Sequence, residues 1–149
     1  MDKQRKRPKD KETGLPQRYV PKSLTPSQRR KQIKSIKEGT PRPKLKGVRT
    51  RRSPNTIKAQ KYFGEGNTGK RAMAKRLAKG NKSREERLMK AFDEIYDRGA
   101  KAYKTSGSRP NQTPQSWAFG RLFSVLFDKK GARVQDADIV KKYRLPFLG

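Results

Sequence analysis

Apolar residues recur at helical spacing along the C-terminal half of the chain. Leu88, Phe92 and Ile95 follow one another at intervals of four and three residues, so they share one face of a helix that is expected to end before Gly99. A second helix is predicted to open at Thr113-Pro114 and to be the central, most buried one, because it is apolar on more than one face. Its apolar residues are Trp117, Phe119, Leu122, Phe123, Val125, Leu126 and Phe127.

Shorter helices are predicted around this pair. Two of them are expected to start at Ser53-Pro54 and Thr68, and the last helix at Asp136, whereas the capping box Ser83-Arg84-Glu85-Glu86 is the expected start of the helix that carries Leu88. The first two helices are expected to end near Gly64 and Gly80. No segment has the two-residue alternation of a half-buried strand. The sequence therefore predicts an all-α fold, with a small bundle of short helices as a domain over residues 53–149.

Residues 1–52 are predicted to form a separate, long extended basic arm. Residues 1–60 hold 20 basic and 4 acidic side chains, and Tyr19 is their only aromatic residue, so little is available to build a core. Recurrent proline favours extended backbone in this segment. One short helix near 26–38 is expected, because Thr25-Pro26-Ser27-Gln28 combines a capping box with a proline at the first helical position. We expect the arm to lack stable tertiary structure in the isolated protein.

Composition excludes several classes of chemistry. The 149 residues include no Cys and no His, and 41 Lys and Arg against 13 Asp and Glu give a formal charge of +28. A disulfide framework and a thiolate metal site are therefore impossible, and the commonest general base and zinc ligand are missing. No apolar run approaches the roughly 18 residues of a membrane span, and no apolar stretch follows the basic start as in a secretory signal. We expect no enzymatic activity, no catalytic residue, no cofactor and no metal.

Two motifs resemble sites of chemistry, and a structural interpretation is favoured for both. Gly64-Glu65-Gly66-Asn67-Thr68-Gly69-Lys70-Arg71 matches most of a nucleotide-binding P-loop, but no buried strand precedes it and Arg71 replaces the hydroxyl that would hold magnesium. It is interpreted as a helix end and linker that could still cradle a phosphate. Asp93, Glu94 and Asp97 could chelate a metal, but they fall on the solvated flank of their helix beside basic residues.

Basic residues supply the candidate binding positions. The positive excess over residues 1–60 exceeds what solubility needs and favours a polyanion or an acidic partner. Arginine forks suit both phosphates and carboxylates. The irregular spread of these residues, without interleaved aromatics, indicates sequence-independent contact if the partner is nucleic acid. The candidate partner- or phosphate-binding residues are Arg29, Arg30, Arg49, Arg51, Arg52, Lys70 and Arg71.

The most distinctive stretch, residues 103–117, combines small, turn-forming and amide side chains directly before the aromatic helix. Its amides and hydroxyls can satisfy the free N–H groups at that helix start, and its arginine can bridge to a carboxylate. A role as loop and cap and a role in binding both stay open at this point. The motif loop and cap comprises Arg109, Pro110, Asn111, Gln112, Thr113 and Trp117.

Several segments together resemble a family of short basic proteins of nucleocytoplasmic large DNA viruses, the giant viruses of algae and amoebae. These segments are residues 19–25, 31–36, 64–68, 106–114, 116–117 and 121–124, which span most of the chain. The resemblance implies a viral context. It brings no enzymatic activity and no catalytic residue.

Two functions are expected within this picture. The first is a structural virion component, a minor capsid protein whose basic arm and helical domain bind and cement neighbouring capsid subunits; this step is inferred from shape and charge. The expected partners are major and minor capsid proteins, with viral DNA or an acidic protein surface as further candidates, and neither a small-molecule substrate nor a membrane span is expected. The protein would be made inside the host cell and reside in the virion. The alternative is a nucleic-acid-binding protein, either a virion DNA-condensing factor or a ribosomal-type RNA binder.

Overall fold

The computed structural model describes residues 8–45 and 53–149, and the remaining parts of the predicted arm, residues 1–7 and 46–52, lie outside the described residues. Within the described ranges the secondary structure is helical, and the β-type pairing there is one isolated bridge between Lys9 and Pro16. The all-α prediction is confirmed for this part of the chain. The helices are α1 (Pro26–Glu38), α2 (Pro54–Phe63), α3 (Lys70–Ala78), α4 (Lys82–Thr105), α5 (Pro114–Phe127), α6 (Ala132–Gln135) and α7 (Ala137–Tyr143).

The chain divides into two compact units. Unit 1 takes Met1–Thr50 and Ala102–Thr113, and unit 2 takes Arg51–Lys101 and Pro114–Gly149. The helix α4 belongs to both units, because its last four residues fall in unit 1. The sequence predicts a division near residue 52, and it does not anticipate that residues 102–113 join the N-terminal unit.

The hydrophobic core of unit 2 is built mainly from α4 and α5. Leu122, Val125 and Leu126 of α5 are completely buried, and they join α4 residues such as Phe92 in one cluster. The helices α2, α3 and α7 contribute Phe63, Met73 and Ile139 to the same cluster. Trp117 lies outside it and is partly exposed, so the predicted inclusion of Trp117 in the core is wrong. The first turn of α5 therefore lies at the edge of the core, whereas the later turns of this helix are part of it.

Local sequence sets the starts of α1 and α2 as predicted. The Thr25 hydroxyl accepts a hydrogen bond from the Gln28 N–H at 3.2 Å, and the Gln28 side chain accepts one from the Thr25 N–H at 3.0 Å, which completes the capping box. Gly39 ends α1 in the left-handed conformation, with φ 68°. The Ser53 hydroxyl caps α2 by accepting from the Thr56 N–H at 3.2 Å.

The predicted starts of α3 and α4 are wrong by one or two residues. Gly69, not Thr68, is the N-cap of α3, and it provides no side-chain hydrogen bond. The Asn81 side chain accepts from the Arg84 N–H at 3.0 Å, so Asn81 rather than Ser83 caps α4. Asn is among the strongest capping residues. Asn81 follows Gly80 directly and precedes Ser83 in the chain, so the helix begins at the first good cap available.

The prediction that α4 ends before Gly99 is also wrong, because α4 continues to Thr105. A Cβ atom on Gly99 would lie 2.7 Å from the Ala118 Cα of α5. Glycine at this position therefore permits the close approach of two helices and does not mark a helix end.

The predicted start of the last helix is confirmed, because Asp136 is the N-cap residue of α7. The short helix α6 directly before it is not anticipated by the sequence. The Asp136 side chain is completely buried and accepts hydrogen bonds from the guanidinium groups of Arg98, at 2.9 Å, and Arg121, at 2.8 Å. A buried carboxylate therefore joins α4, α5 and the α6–α7 junction.

In unit 1, residues 8–45 pack with residues 102–113. Val20 is completely buried, and so is Gln32 on α1. The Gln32 side-chain amide donates to the carbonyl oxygen of Ser108 at 3.0 Å. Residues 8–45 of the predicted arm thus form most of the described part of a compact unit, whereas the prediction for the rest of the arm stays a prediction.

Candidate anion-binding site

Unit 2 contains a pocket of about 520 Å³ with a strongly basic lining. The cations come from the end of α3, the first turns of α4 and the end of α7. The C-terminal ends of α3 and α7 favour positive charge, because the last carbonyl groups of a helix carry partial negative charge. The five pocket cations are Arg76, Lys79, Arg84, Arg87 and Arg144.

The charge of these five pocket cations is not compensated within the described part of the chain. None of them forms an ion pair with a carboxylate among the described residues, and no carboxylate lines the pocket. The Nε atom of Arg87 is buried and has no hydrogen-bond acceptor in the described residues. The group of five pocket cations is therefore available to an anion.

The pocket also has an apolar lining. Leu77, Leu88 and Leu148 contribute aliphatic side chains, and Tyr62 contributes an aromatic ring that is 41% exposed. The Arg76 guanidinium lies 5.7 Å from the centre of the Tyr62 ring, within reach of a cation–π interaction. The site thus combines several cations with an apolar surface.

Arg133 holds the C-terminal tail that forms one wall of the pocket. Its guanidinium donates to the carbonyl oxygens of Val125 at 2.7 Å and Pro146 at 3.3 Å. The Leu148 N–H donates to the Leu126 carbonyl at 2.8 Å. Burial lowers the pKa of Arg133. The tail is therefore fixed to α5 by hydrogen bonds from both its backbone and a partly buried arginine.

None of the predicted site residues that the structure describes lines this pocket. Arg29 on α1 instead donates to both carboxylate oxygens of Asp10, at 3.0 and 2.9 Å, and to Glu12 at 2.8 Å. The hydrogen bond from Arg29, followed by those from Thr13, holds the pKa of Asp10 well below its ordinary value. Arg29 therefore ties α1 to the segment before it, whereas Arg30 is exposed.

Lys70 and Arg71 are likewise occupied by ion pairs. The Lys70 Nζ lies 2.7 Å from an Asp93 carboxylate oxygen. Arg71 donates to Glu85 and Glu86 at 2.8 Å each, and these hydrogen bonds, the one to Glu86 first, raise its pKa. Both cations link the start of α3 to α4, which supports a structural role for them.

The P-loop-like segment joins two helices. Gly64 is the C-cap of α2 and Gly69 the N-cap of α3, so a helix precedes the segment where a P-loop requires a strand. Gly64 and Gly66 have φ of 94° and 84°, a backbone conformation that glycine adopts without strain. This geometry supports the interpretation of the segment as a helix end and linker.

The acidic cluster of α4 is used in contacts within unit 2. Asp93 pairs with Lys70, and Glu94 accepts a hydrogen bond from the Tyr143 hydroxyl at 3.0 Å and lies 3.6 Å from the Lys142 Nζ. In the part of the chain that the structure describes, no group of three or more carboxylate, imidazole or thiolate side chains is arranged to hold a metal ion.

The motif loop lies in unit 1 and holds the N-terminal segment. Asn111, with φ 63°, accepts from the Leu45 N–H at 2.7 Å and donates to the Leu45 carbonyl at 3.3 Å. Pro110 is buried, and the Gln112 carbonyl accepts from the Tyr103 hydroxyl at 3.0 Å. Arg109 and Thr113 are exposed. The remaining predicted binding residues, Arg49, Arg51 and Arg52, lie outside the described residues.

Sequence reasoning missed Arg42, the most buried arginine among the residues that the structure describes. Only 6% of the residue is exposed, and its guanidinium donates to the carbonyl oxygens of Ser35 at 3.1 Å, Thr40 at 2.6 Å and Tyr103 at 2.6 Å. Burial lowers the pKa of Arg42. The sequence offers one weak signal, the two prolines that flank this arginine and restrict its backbone.

Comparisons with known proteins identify a family and no individual relative. Within the described residues, no helix is both long enough and apolar enough to cross a bilayer. Neither a curated protein nor a solved structure matches the chain. Residues 16–144, most of the sequence, match the model of DUF5824, a family of unknown function, and the chain belongs to that family.

Proposed function

We propose that this protein is a structural component of a virion, a minor capsid protein whose basic surface binds and cements neighbouring capsid subunits, and that it has no catalytic role. The observation that supports this proposal most is the group of five pocket cations, for which the described part of the chain supplies no carboxylate. Uncompensated charge of this kind is relieved when an anionic partner binds. The proposed location is the virion, after synthesis inside the host cell.

Basic residues outside the pocket are also proposed to contact neighbouring capsid subunits. Arg30 and Arg109 are exposed and free to add contacts to neighbouring subunits. The arm residues Arg49, Arg51 and Arg52 would add to those contacts, because arginine side chains pair well with carboxylates. The ion-paired residues Arg29, Lys70 and Arg71 are not proposed as contacts.

A second candidate function is nucleic-acid binding, and the formal charge of +28 favours it. Viral DNA in a condensed form, or an RNA in a ribosomal-type complex, would be the ligand. This alternative makes a quantitative prediction, because cations that neutralise phosphates release counterions. The logarithm of the binding constant would then fall by about 0.9 per neutralised phosphate for each tenfold rise in salt.

The two functions are separated by measuring co-sedimentation of the protein with purified capsid shells and with duplex DNA over a range of salt concentrations. A minor capsid protein stays with the shells at salt concentrations that release it from DNA, because apolar contacts support capsid packing. Binding to DNA alone, with no association with shells at low salt, would contradict the capsid proposal.

A further inference from the structure

The pocket of unit 2 has features that a phosphate backbone does not need. Besides its cations, the pocket has aliphatic side chains such as Leu77 and Leu148. A phosphodiester backbone offers no aliphatic or aromatic side chain to cover them. Nucleic-acid bases would stack on a free aromatic face, but Arg76 already lies over the ring of Tyr62, the one aromatic residue in the lining. The lining therefore fits a protein segment better than a nucleic acid.

We propose that this pocket binds a short segment of a partner protein in which acidic side chains flank an aliphatic or aromatic one. Arginine side chains pair with carboxylates through two parallel hydrogen bonds, which gives the acidic residues a defined position. The apolar side chain of the segment would cover the leucines and remove them from water. This assignment rests on the proposed function, because it names the chemistry by which the protein holds a capsid subunit.

Arg87 is the least exposed of the five pocket cations. Its Nε is buried and has no acceptor among the described residues, so this guanidinium is partly removed from water without a compensating partner. A carboxylate of the bound segment that contacts the part of Arg87 lining the pocket would supply the missing negative charge. Arg84 lies one turn earlier on α4, is exposed and also lines the pocket, so it would bind a second carboxylate at the entrance.

The test uses the full-length protein and two triple variants of equal charge. The pocket variant removes three exposed cations and combines Arg76→Gln, Arg84→Gln and Arg144→Gln. The control variant removes three exposed cations from α1 and combines Lys31→Gln, Lys34→Gln and Lys37→Gln. Thermal melting confirms that both variants fold, and the single Arg84→Gln variant provides an independent measurement if the pocket variant does not.

Three fluorescent probes are titrated against each protein. The first is a short peptide of aspartates around a central leucine and phenylalanine. In the second, serine replaces the two apolar residues, and the third is a single-stranded oligothymidylate of the same charge. We expect the first peptide to bind best, and the pocket variant to weaken its binding by about tenfold or more, as the loss of charged hydrogen bonds predicts. The control variant should change the affinity by less than about threefold.

Two results would overturn the assignment. In the first, both variants weaken the peptide equally, which would show that only net charge matters. In the second, the oligonucleotide binds more tightly than the peptide and loses its affinity in the pocket variant. Co-sedimentation with capsid shells distinguishes a wrong pocket assignment from a wrong capsid proposal. Shells that retain the pocket variant fully would overturn the pocket assignment alone, whereas shells that do not bind the parent protein would overturn the capsid proposal.

Discussion

Among single residues, the Asp136 carboxylate joins α4, α5 and the junction between α6 and α7 in unit 2. Its side chain is completely buried, and it accepts hydrogen bonds from Arg98 and Arg121, whose side chains are 41% and 20% exposed. Burying a carboxylate is costly unless it is paired and hydrogen-bonded, and here both conditions are met. Asp138 pairs with the same Arg98 but is 63% exposed, which makes it a natural control.

Asp136→Asn should reduce the free energy of unfolding by about 3 kcal/mol, because it weakens three charged hydrogen bonds at a buried position. Breaking a buried ion pair costs about 3–5 kcal/mol. The lower end of that range is expected here, because the side chains of both arginines are partly exposed. Asp138→Asn should cause a smaller loss of stability at neutral pH, still measurable as a lower Tm, because its ion pair is exposed. Urea denaturation of both variants at neutral pH checks this expectation. Equal effects would show that burial of Asp136 does not matter.

Asp138 should also make stability depend on pH in the acid range. The hydrogen bond from Arg98 is the main cause that lowers the pKa of Asp138 to about 2 from 3.8. A lowered pKa means that the folded protein favours the charged form, so the contribution is complete above 3.8 and is lost as the pH falls through 2. The Tm difference between the parent and Asp138→Asn should therefore shrink as the pH is lowered from about 5 towards 2. A difference that stays constant over this range would contradict the assignment.

At the scale of the elements, the packing of α4 on α5 depends on Gly99. A Cβ at this position would lie 2.7 Å from the Ala118 Cα, closer than such atoms approach in proteins. Gly120 of α5 provides the contrast, since a Cβ there would meet no atom within 4 Å. The same substitution should therefore have opposite effects at two helical glycines of unit 2.

Gly99→Ala should destabilise the protein by about 1–3 kcal/mol through overpacking. Gly120→Ala should stabilise it by about 0.5–1 kcal/mol, because alanine is the better helix former. Thermal or chemical denaturation of the two variants measures both changes. If both variants were more stable than the parent, α4 and α5 would not be in close contact at Gly99.

Much of the element pattern could be predicted from sequence, because capping and apolar spacing act locally. The starts of α1 and α2 and the apolar stripe of α4 are examples. The end of α4 could not be predicted, because the sequence does not distinguish a glycine inside a helix from a glycine that ends one. Only the position of the neighbouring helix α5 makes that distinction at Gly99. The apolar pattern of α5 includes Trp117, but the residues of this helix that enter the core begin only at Ala118. The pocket cations were missed because they come together only through the packing of three separate helices.

In the whole molecule, the described cations fall into two groups. Some form ion pairs with carboxylates of the same chain, and others have no such partner among the described residues. Arg29, Lys70 and Arg71 have carboxylate partners, and the five pocket cations have none among the described residues. The sequence cannot make this distinction, because it depends on which carboxylates fold next to which cations. The proposed binding of an anionic partner would therefore use positions that composition alone does not identify.

The folding of residues 8–45 in unit 1 is tested by amide exchange. The Arg42 N–H donates to the Tyr103 hydroxyl at 2.8 Å, and that hydroxyl donates to the Gln112 carbonyl. We expect the Arg42 amide to be protected in the parent protein and to exchange faster in Tyr103→Phe. The variant should lose about 1–3 kcal/mol, because buried groups are left without partners. Fast exchange of Arg42 in the parent would instead show that this segment is a free arm.

The proposed structural role in the capsid is best tested by the location of the protein in purified virus particles. Particles would be stripped with detergent, treated with nuclease and separated into shells and released contents, and the protein would be quantified in both fractions. We predict that it stays with the shells in a constant ratio to the major capsid subunit, whether or not nuclease is added. Its release together with the digested genome would contradict the claim and favour nucleic-acid binding.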